Sequence, residues 1–400
     1  MLRASIFVVY ENESVAVIGI SVNGKRIFKD LYRKGNNRKL IDVINDFNSI
    51  KELVSKFFGK IDIICNDIIK FINAFDIVDA EGNFYDISLR LDKQYGSFDD
   101  YIKVINLFLD KLDNVELTEY NKLKANASFA YNYLNKNGLM YNYDLVYPNW
   151  SLETFTGRSK SCGFNIQGFT DKAKISNVKT ENGLLLHFDW ICADIRIASI
   201  LSNDSNLHKS FEVSDPYQYL ADIINSNSDG NIMRDECKKF LLMSINSMSV
   251  EYEPIIDVYS DLYKWVNNSN DFIASNNYFK SILGKVYRSD SKLSIFNASM
   301  QGSVAHAMHN VIYKVFKLFP EYIIGDIHDS IILSVPKDIT LIRYIINNVV
   351  SIMSKPFDKF DVFFPLKVSI GEKWREWELC EVHKVNKAEI VANLTDVIKI

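Results

Sequence analysis

The chain has 400 residues, 48% hydrophobic and 24% charged, with a formal net charge of −4. At ~150 residues per domain this predicts two or three packed domains with ample core. The mild acidity excludes a protein that coats nucleic acid over its whole surface, but it leaves room for a local basic cleft, because binding follows the local field. The five cysteines (Cys65, Cys162, Cys192, Cys237, Cys380) are scattered and no C-x-x-C occurs, which predicts reduced thiols in a cytosol rather than a zinc ribbon or redox pair. The early apolar stretch is broken by Glu11, Asn12 and Glu13 with no small-residue cleavage site, so it does not read as a signal peptide. No apolar run reaches the ~18 residues of a membrane span, so no membrane partner is expected.

From the N-terminus, "SIFVVY", "VAVIGISV" and "RIFKDLY" alternate as strands, with a hairpin turn at Asn23-Gly24. "KLIDVINDFNSIKELVSKFF" has helical periodicity, and "KIDIICN" and "FYDISLRL" read as further strands. "DDYIKVINLFLDKL" and "EYNKLKANASFAYNYLNKNG" read as helices, the second stopping at Gly138. Residues 140–200 are irregular until the strand "GLLLHFDWICADI", and residues 205–290 are mostly helical. "MQGSVAHAMHNVIYKVFKLF" is a helix, and "YIIGDIHDSIILSV" is a hairpin with a polar centre. A strand in "FFPLKVSIGEKW" precedes a C-terminal tail expected to be helical.

Two aspartates stand out. Asp189 ends a run, "LLLHFD", that otherwise calls for burial, and Asp329 lies between the two apolar arms of the hairpin. A carboxylate there is costly unless it is paired or binds a cation. Asp329 alone reads as a turn-former. Two such carboxylates meeting across neighbouring strands suit a pair of Mg²⁺ ions and phosphoryl or nucleotidyl transfer. Arg234 and Lys238, four apart, share one helix face. Arg158, Lys160, Lys172 and Lys174 form one basic cluster, and Lys280, Lys285, Arg288 and Lys292 form another. His306 and His309 in "HAMH" lack further ligands nearby and read as structural.

The segments "TGRSKSCGFNIQG" (156–168), "FDWICADIRIASIL" (188–201), "RDECKKFLL" (234–242), "NASMQGS" (297–303) and "IHDS" (327–330) occur in one order. Together they resemble the family-A, Pol I-like DNA polymerases, from near Tyr147 to about Trp374, and "FPLKVSIGEKW" looks like that family's closing strand. The resemblance implies an α/β (α+β) right-hand fold. It would have a palm over 141–204 and 290–378, fingers over 205–289, and a reduced thumb or helical connector over 96–140. A small degenerate RNase H-like, exonuclease-derived domain would occupy 1–95, with a tail over 379–400. It implies that Asp189 and Asp329 hold two Mg²⁺ (or Mn²⁺) ions, with the carbonyl of Trp190 as a further ligand. His328 would support the primer end. Arg234 and Lys238 would bind the triphosphate, with Lys238 also a proton donor to pyrophosphate. Arg158 and Gln301 would touch the minor groove of the primer–template, with Asn297 and Asn165 beside them. Minor-groove acceptors are largely sequence-degenerate, so such contacts check pair shape.

Several positions depart from the family pattern. Motif C reads His-Asp-Ser, a triplet also seen in single-subunit RNA polymerases. The glutamate of the sugar gate is Asp194, one methylene shorter. The stacking aromatic is Leu242, and the Tyr-Gly beside the template base is Asn246-Ser247. An arginine before "NASMQG" is replaced by Leu293, next to Lys292. The N-terminal "VVYENES" has Glu11 but lacks the Asp-x-Glu that exonuclease metals need. The expected activity is therefore template-directed DNA synthesis from dNTPs on a primer–template, without proofreading, in the cytoplasm of a bacterial or virus-infected cell. The small thumb calls for a processivity or replication partner protein. An RNA polymerase or primase-like enzyme and a catalytically silent nucleic-acid-binding scaffold are the alternatives.

Overall fold

The computed structural model describes the backbone of five strands before residue 119. It then describes residues 119–382, apart from 143, 153, 181–182, 214, 228–230, 249–251 and 361. The chain divides into two compact units, Met1–Asn132 and Tyr133–Ile400.

In the first unit Ala4–Glu11, Ser14–Val22, Lys25–Asp30, Asp62–Cys65 and Asn83–Asp86 form one sheet, ordered third, second, first, fourth, fifth. The first three pair antiparallel, with Val22 opposite Lys25, as the Asn-Gly turn predicts. The fourth and fifth run parallel to the first. The helices expected from "KLIDVINDFNSIKELVSKFF" and "DDYIKVINLFLDKL" lie outside the described residues. The helix Glu119–Asn137 forms as predicted, and Gly138 ends it at φ +66, a left-handed conformation that glycine adopts without strain. A Cβ there would also lie 2.6 Å from the carbonyl oxygen of Val146.

The second unit is built on a five-stranded antiparallel sheet. Its order is Ile323–Ile327, Ser330–Pro336, Gly183–Trp190, Leu366–Gly371, Trp377–Val382. The centre strand is flanked on both edges and buried along most of its length, which explains the apolar Leu185, Leu186 and Phe188. Helix Ile339–Ser354 covers one face with Ile342, Ile345, Ile346, Val349, Val350 and Met353, all buried. Each such side chain contributes ~1.5–3 kcal/mol through burial. Asp338 caps this helix by accepting from Thr340 N (2.8 Å) and Leu341 N (3.1 Å).

Helices Ala193–Ser202, Ser205–Val213, Pro216–Asn227, Arg234–Asn246, Glu253–Val258 and Ser260–Asn276 fill the middle of the sequence. Buried Asp204 ties two of them together, accepting from Leu207 N (2.9 Å), Asp261 N (3.0 Å) and Leu262 N (3.1 Å). Helix Lys292–Leu318 is buried on nearly every side, so it is a core rod rather than a surface helix.

Three expectations need correction. The strand in "GLLLHFDWICADI" stops at Trp190, because Cys192 turns left-handed (φ +56) and a helix starts at Ala193. The helix of "MQGSVAHAMHNVIYKVFKLF" begins earlier, at Lys292, where Ser291 caps it. The tail starts as a strand and not as a helix: Trp377–Val382 pairs with Leu366–Gly371 and buries Leu379 and Val382. An open sheet edge with unpaired backbone groups outweighs the local helical preference. Among the described residues no helix is long and apolar enough to cross a membrane.

Candidate active site

The sheet register brings the two aspartates together. Asp189 lies opposite Ser330 on one neighbour and opposite Lys367 on the other. Ser330 begins its strand, so the preceding Asp329 stands in the two-residue turn beside Asp189. His328, exposed at φ +61, takes the left-handed conformation that so short a connection needs. Ser330 Oγ closes the turn by donating to the carbonyl of Ile327 at 2.9 Å. On the opposite face, buried Trp190 donates its indole N–H to the carbonyl of Met353 at 2.9 Å, which fixes the strand end against the covering helix.

The carboxyl of Asp329 is pushed up to about 7, first by burial, then by the negative charges of Asp189 and Asp194, with Arg158 opposing. Three carboxylates and one arginine thus share a single electrostatic neighbourhood. Arg158 reaches Asp194 at 3.5 Å, while its Nε is buried without a hydrogen-bond partner among the described residues. The loop carrying Arg158 is clamped from several sides. Tyr287 donates its hydroxyl to the carbonyl of Thr156 (2.8 Å), His309 Nε2 lies 3.0 Å from the carbonyl of Gly157, and Lys285 Nζ donates to the carbonyl of Phe155 (3.1 Å). Ser159 donates to buried Asp326 at 2.8 Å, joining the same loop to the hairpin. His309 thus helps to hold this loop. Buried His306 is held neutral, well below its usual pKa, chiefly by burial.

Arg234, Lys238, Leu242 and Asn246 recur every fourth residue along helix Arg234–Asn246, next to the buried Cys237, Leu241, Ser244 and Ile245. Arg234 pairs with Asp215 at 2.9 Å and lies 5.3 Å over the ring of Tyr217, and Lys238 is 6.0 Å from that ring. Tyr217 hydrogen-bonds with Cys192, whose thiol is pushed up to about 11 mainly by burial and also senses Asp215, Arg234 and Lys238. These contacts bring the basic helix face to the start of helix Ala193–Ser202, just beyond Asp189 and Trp190. At the other end of the basic helix, Asn297 Nδ2 donates to the carbonyl of Asn246 at 3.1 Å. Its Oδ1 is buried without a partner among the described residues. Gln301 follows one turn later, half-buried.

Other expected residues have local jobs. Asn165 caps a short 3₁₀ turn, accepting from Gly168 N (3.1 Å) and Ser161 Oγ (3.0 Å). Lys174 is buried, 5.6 Å over the ring of Trp374, so it does not belong to the exposed basic cluster assigned to it. Arg288 is exposed and lies 4.9 Å over Tyr278. The sequence reading missed Asp215, Tyr217, Asp326 and Arg375. Only Arg375 carried a signal, because it directly follows the Trp374 of the closing strand.

Among the described residues, no group of three or more His, Cys, Asp or Glu side chains is arranged to hold a metal ion. A two-carboxylate site still suits Mg²⁺, which binds through one or two carboxylates and completes its shell with water and substrate phosphates. The raised Asp329 fits that chemistry, since it marks crowded negative charge that a cation would relieve.

The architecture is similar to that of solved structures. The chain matches the POL domain of Pol1 from M. smegmatis, solved in complex with DNA primer-template and dNTP. The TM-score is 0.66 at 12% sequence identity, over 93% of this chain and 96% of that one. The protein therefore has the mixed helix-and-strand fold of a DNA polymerase domain. No family model matches the sequence, and no curated protein sequence matches it.

Proposed function

We propose that the protein is a template-directed DNA polymerase that adds dNTPs to a primer 3′-hydroxyl. The observation that carries this reading is the register placing Asp189 beside Asp329, with Asp194 and Arg158 in the same field. Asp189 and Asp329 would hold two Mg²⁺ (or Mn²⁺) ions, with the Trp190 carbonyl as a further ligand. Such ions would supply Lewis-acid chemistry, favouring ionisation of the primer hydroxyl and offsetting charge on the phosphates.

The chain's own groups do the rest. Arg234 and Lys238 supply fixed positive charge for the triphosphate, and Asp215 orients Arg234. The 3′-hydroxyl gives up its proton to solvent, its oxygen forms a bond to the α-phosphorus, the bond to pyrophosphate breaks, and Lys238 donates a proton to that leaving group. His328 supports the primer end. Leu242 and Asn246 face the incoming nucleotide. Arg158, Gln301, Asn297 and Asn165 line the duplex next to the reacting pair. In this reading residues 141–204 and 290–378 are the palm and 205–289 the fingers. The N-terminal sheet, with strand order 3-2-1-4-5, supports an RNase H-like ancestry for residues 1–95. Its sequence lacks the Asp-x-Glu pattern, so no proofreading is expected.

A second reading, relaxed sugar selection, is favoured by Asp194. Its side chain is one methylene short of the glutamate expected there and is drawn toward Arg158 at 3.5 Å. Primer extension with four dNTPs, then four NTPs, tests both readings. Extension by the wild type and none by Asp329→Asn supports the assignment, and equal extension by both refutes it. Primer–template binding that ignores Mg²⁺ and nucleotide, with no extension, would favour a silent scaffold.

A further inference from the structure

Asp189 is held by a cation of the chain itself. A terminal nitrogen of Arg375 lies 2.6 Å from Asp189 Oδ2, and Arg375 Nε faces His187 Nδ1 at 3.4 Å. The arginine projects from a fixed platform. It sits at φ +51 in the turn between strands Leu366–Gly371 and Trp377–Val382. The Glu376 carboxylate pins that turn by accepting from the main-chain N–H of Glu372 (2.8 Å) and Lys373 (3.2 Å). Trp374 is buried with its ring 5.4 Å from that of His187. Buried His187 accepts at Nδ1 from the guanidinium Nε.

We propose that Arg375 is an internal counter-ion that competes with divalent cations for Asp189. The idea rests on reading Asp189 and Asp329 as the cation-binding pair. A carboxylate in ion-pair contact with a guanidinium cannot also coordinate a hard cation at the same oxygen without bringing two positive charges together. Cation loading therefore breaks the Arg375 contact and lowers affinity by the worth of a partly exposed ion pair, 34% and 24% exposed at its two side chains. The negative charge that a nucleotide brings with its cation offsets this loss. The free protein then binds the ion weakly, and the nucleotide-loaded protein binds it well.

Binding of Mn²⁺ to the full-length protein without DNA or nucleotide, followed by the electron-spin-resonance signal of free Mn²⁺, tests the proposal. Arg375→Gln should bind about threefold to tenfold more tightly than wild type, the scale of such an ion pair. Arg375→Lys should stay near wild type. Glu376→Gln weakens the clasp on the turn while Arg375 itself stays charged, and should tighten binding to a smaller extent. Circular dichroism checks that each variant is folded, and Glu376→Gln carries the test if Arg375→Gln does not fold. Unchanged or weaker binding in the loosened or neutralised variant, while Asp329→Asn still weakens binding, overturns the counter-ion alone. Absence of Mn²⁺ binding in wild type and Arg375→Gln overturns both the counter-ion and the cation pair.

Discussion

The main-chain N–H of Trp190 donates to the carbonyl of Asp329 at 3.2 Å, so backbone alone joins the end of the central strand to the turn of the neighbouring hairpin. The two aspartates are held side by side by main-chain pairing on both strands, independent of what their carboxylates bind. Removing either charge should therefore spare the fold. Asp189→Asn and Asp329→Asn are each expected to lower primer extension on the order of a hundredfold or more, while far-UV circular dichroism stays that of the wild type.

The raised acidity constant of Asp329 predicts a dependence of stability on pH. Its folded pKa, about 7, lies above the ordinary carboxylate value, so the folded state holds the proton more tightly than the unfolded one. The contribution is full below the unfolded pKa, ~4, and is lost as pH rises to about 7. In EDTA, Asp329→Asn should melt higher than wild type at pH 8, by ~1–3 kcal/mol on the scale of ~1.4 kcal/mol per pKa unit. The gap should narrow by pH 5 and close only below the unfolded pKa, ~4. Thermal denaturation at the two pH values measures it, and a gap that widens toward acid would contradict the assigned cause.

Arg234 and Asp215 form a pair next to the proposed triphosphate site. Arg234→Ala should raise KM for dNTP about tenfold, the scale of a lost charge-assisted hydrogen bond. Asp215→Asn should raise KM less, because the guanidinium remains but is no longer oriented. Lys238→Ala should act mainly on kcat, because a proton to the leaving group matters only in the reaction itself. Steady-state kinetics on one primer–template separates the three.

Gly302 leaves room for Tyr287. A Cβ at Gly302 would stand 1.9 Å from the Tyr287 hydroxyl, and that hydroxyl holds the loop bearing Arg158 through Thr156. Gly302→Ala should cost about 2–3 kcal/mol in urea denaturation through overpacking. Tyr287→Phe should cost about 1 kcal/mol and impair extension more than stability, because Arg158 loses an anchor.

Part of this was legible in the sequence, for physical reasons. Apolar runs interrupted by one carboxylate signalled Asp189 and Asp329, because an acid at the end of a buried strand is costly unless a partner or a cation compensates it. The fourfold spacing of Arg234, Lys238, Leu242 and Asn246 follows from helix geometry and needs no tertiary information. Contacts between distant segments were not legible. Nothing local distinguishes Asp215 or Asp326 from an ordinary helix-capping or strand-end acid until the chain folds. Lys174 shows the opposite error: it looked like a solvated charge because its burial beside Trp374 is set by a turn two hundred residues later. The strand Trp377–Val382 was misread as helix because its pairing is decided by the free edge of Leu366–Gly371 and not by its own residues.

The pairing of Asp189 with Ser330 also governs which changes in length the gene can accept. Side chains alternate faces along a strand, so one inserted or deleted residue in 330–336 would turn the apolar set of that arm toward water and carry Asp329 away from Asp189. Point substitutions within the arm can be absorbed by repacking. Frame-preserving indels there should abolish the pairing of the two acids, even those that remove neither aspartate.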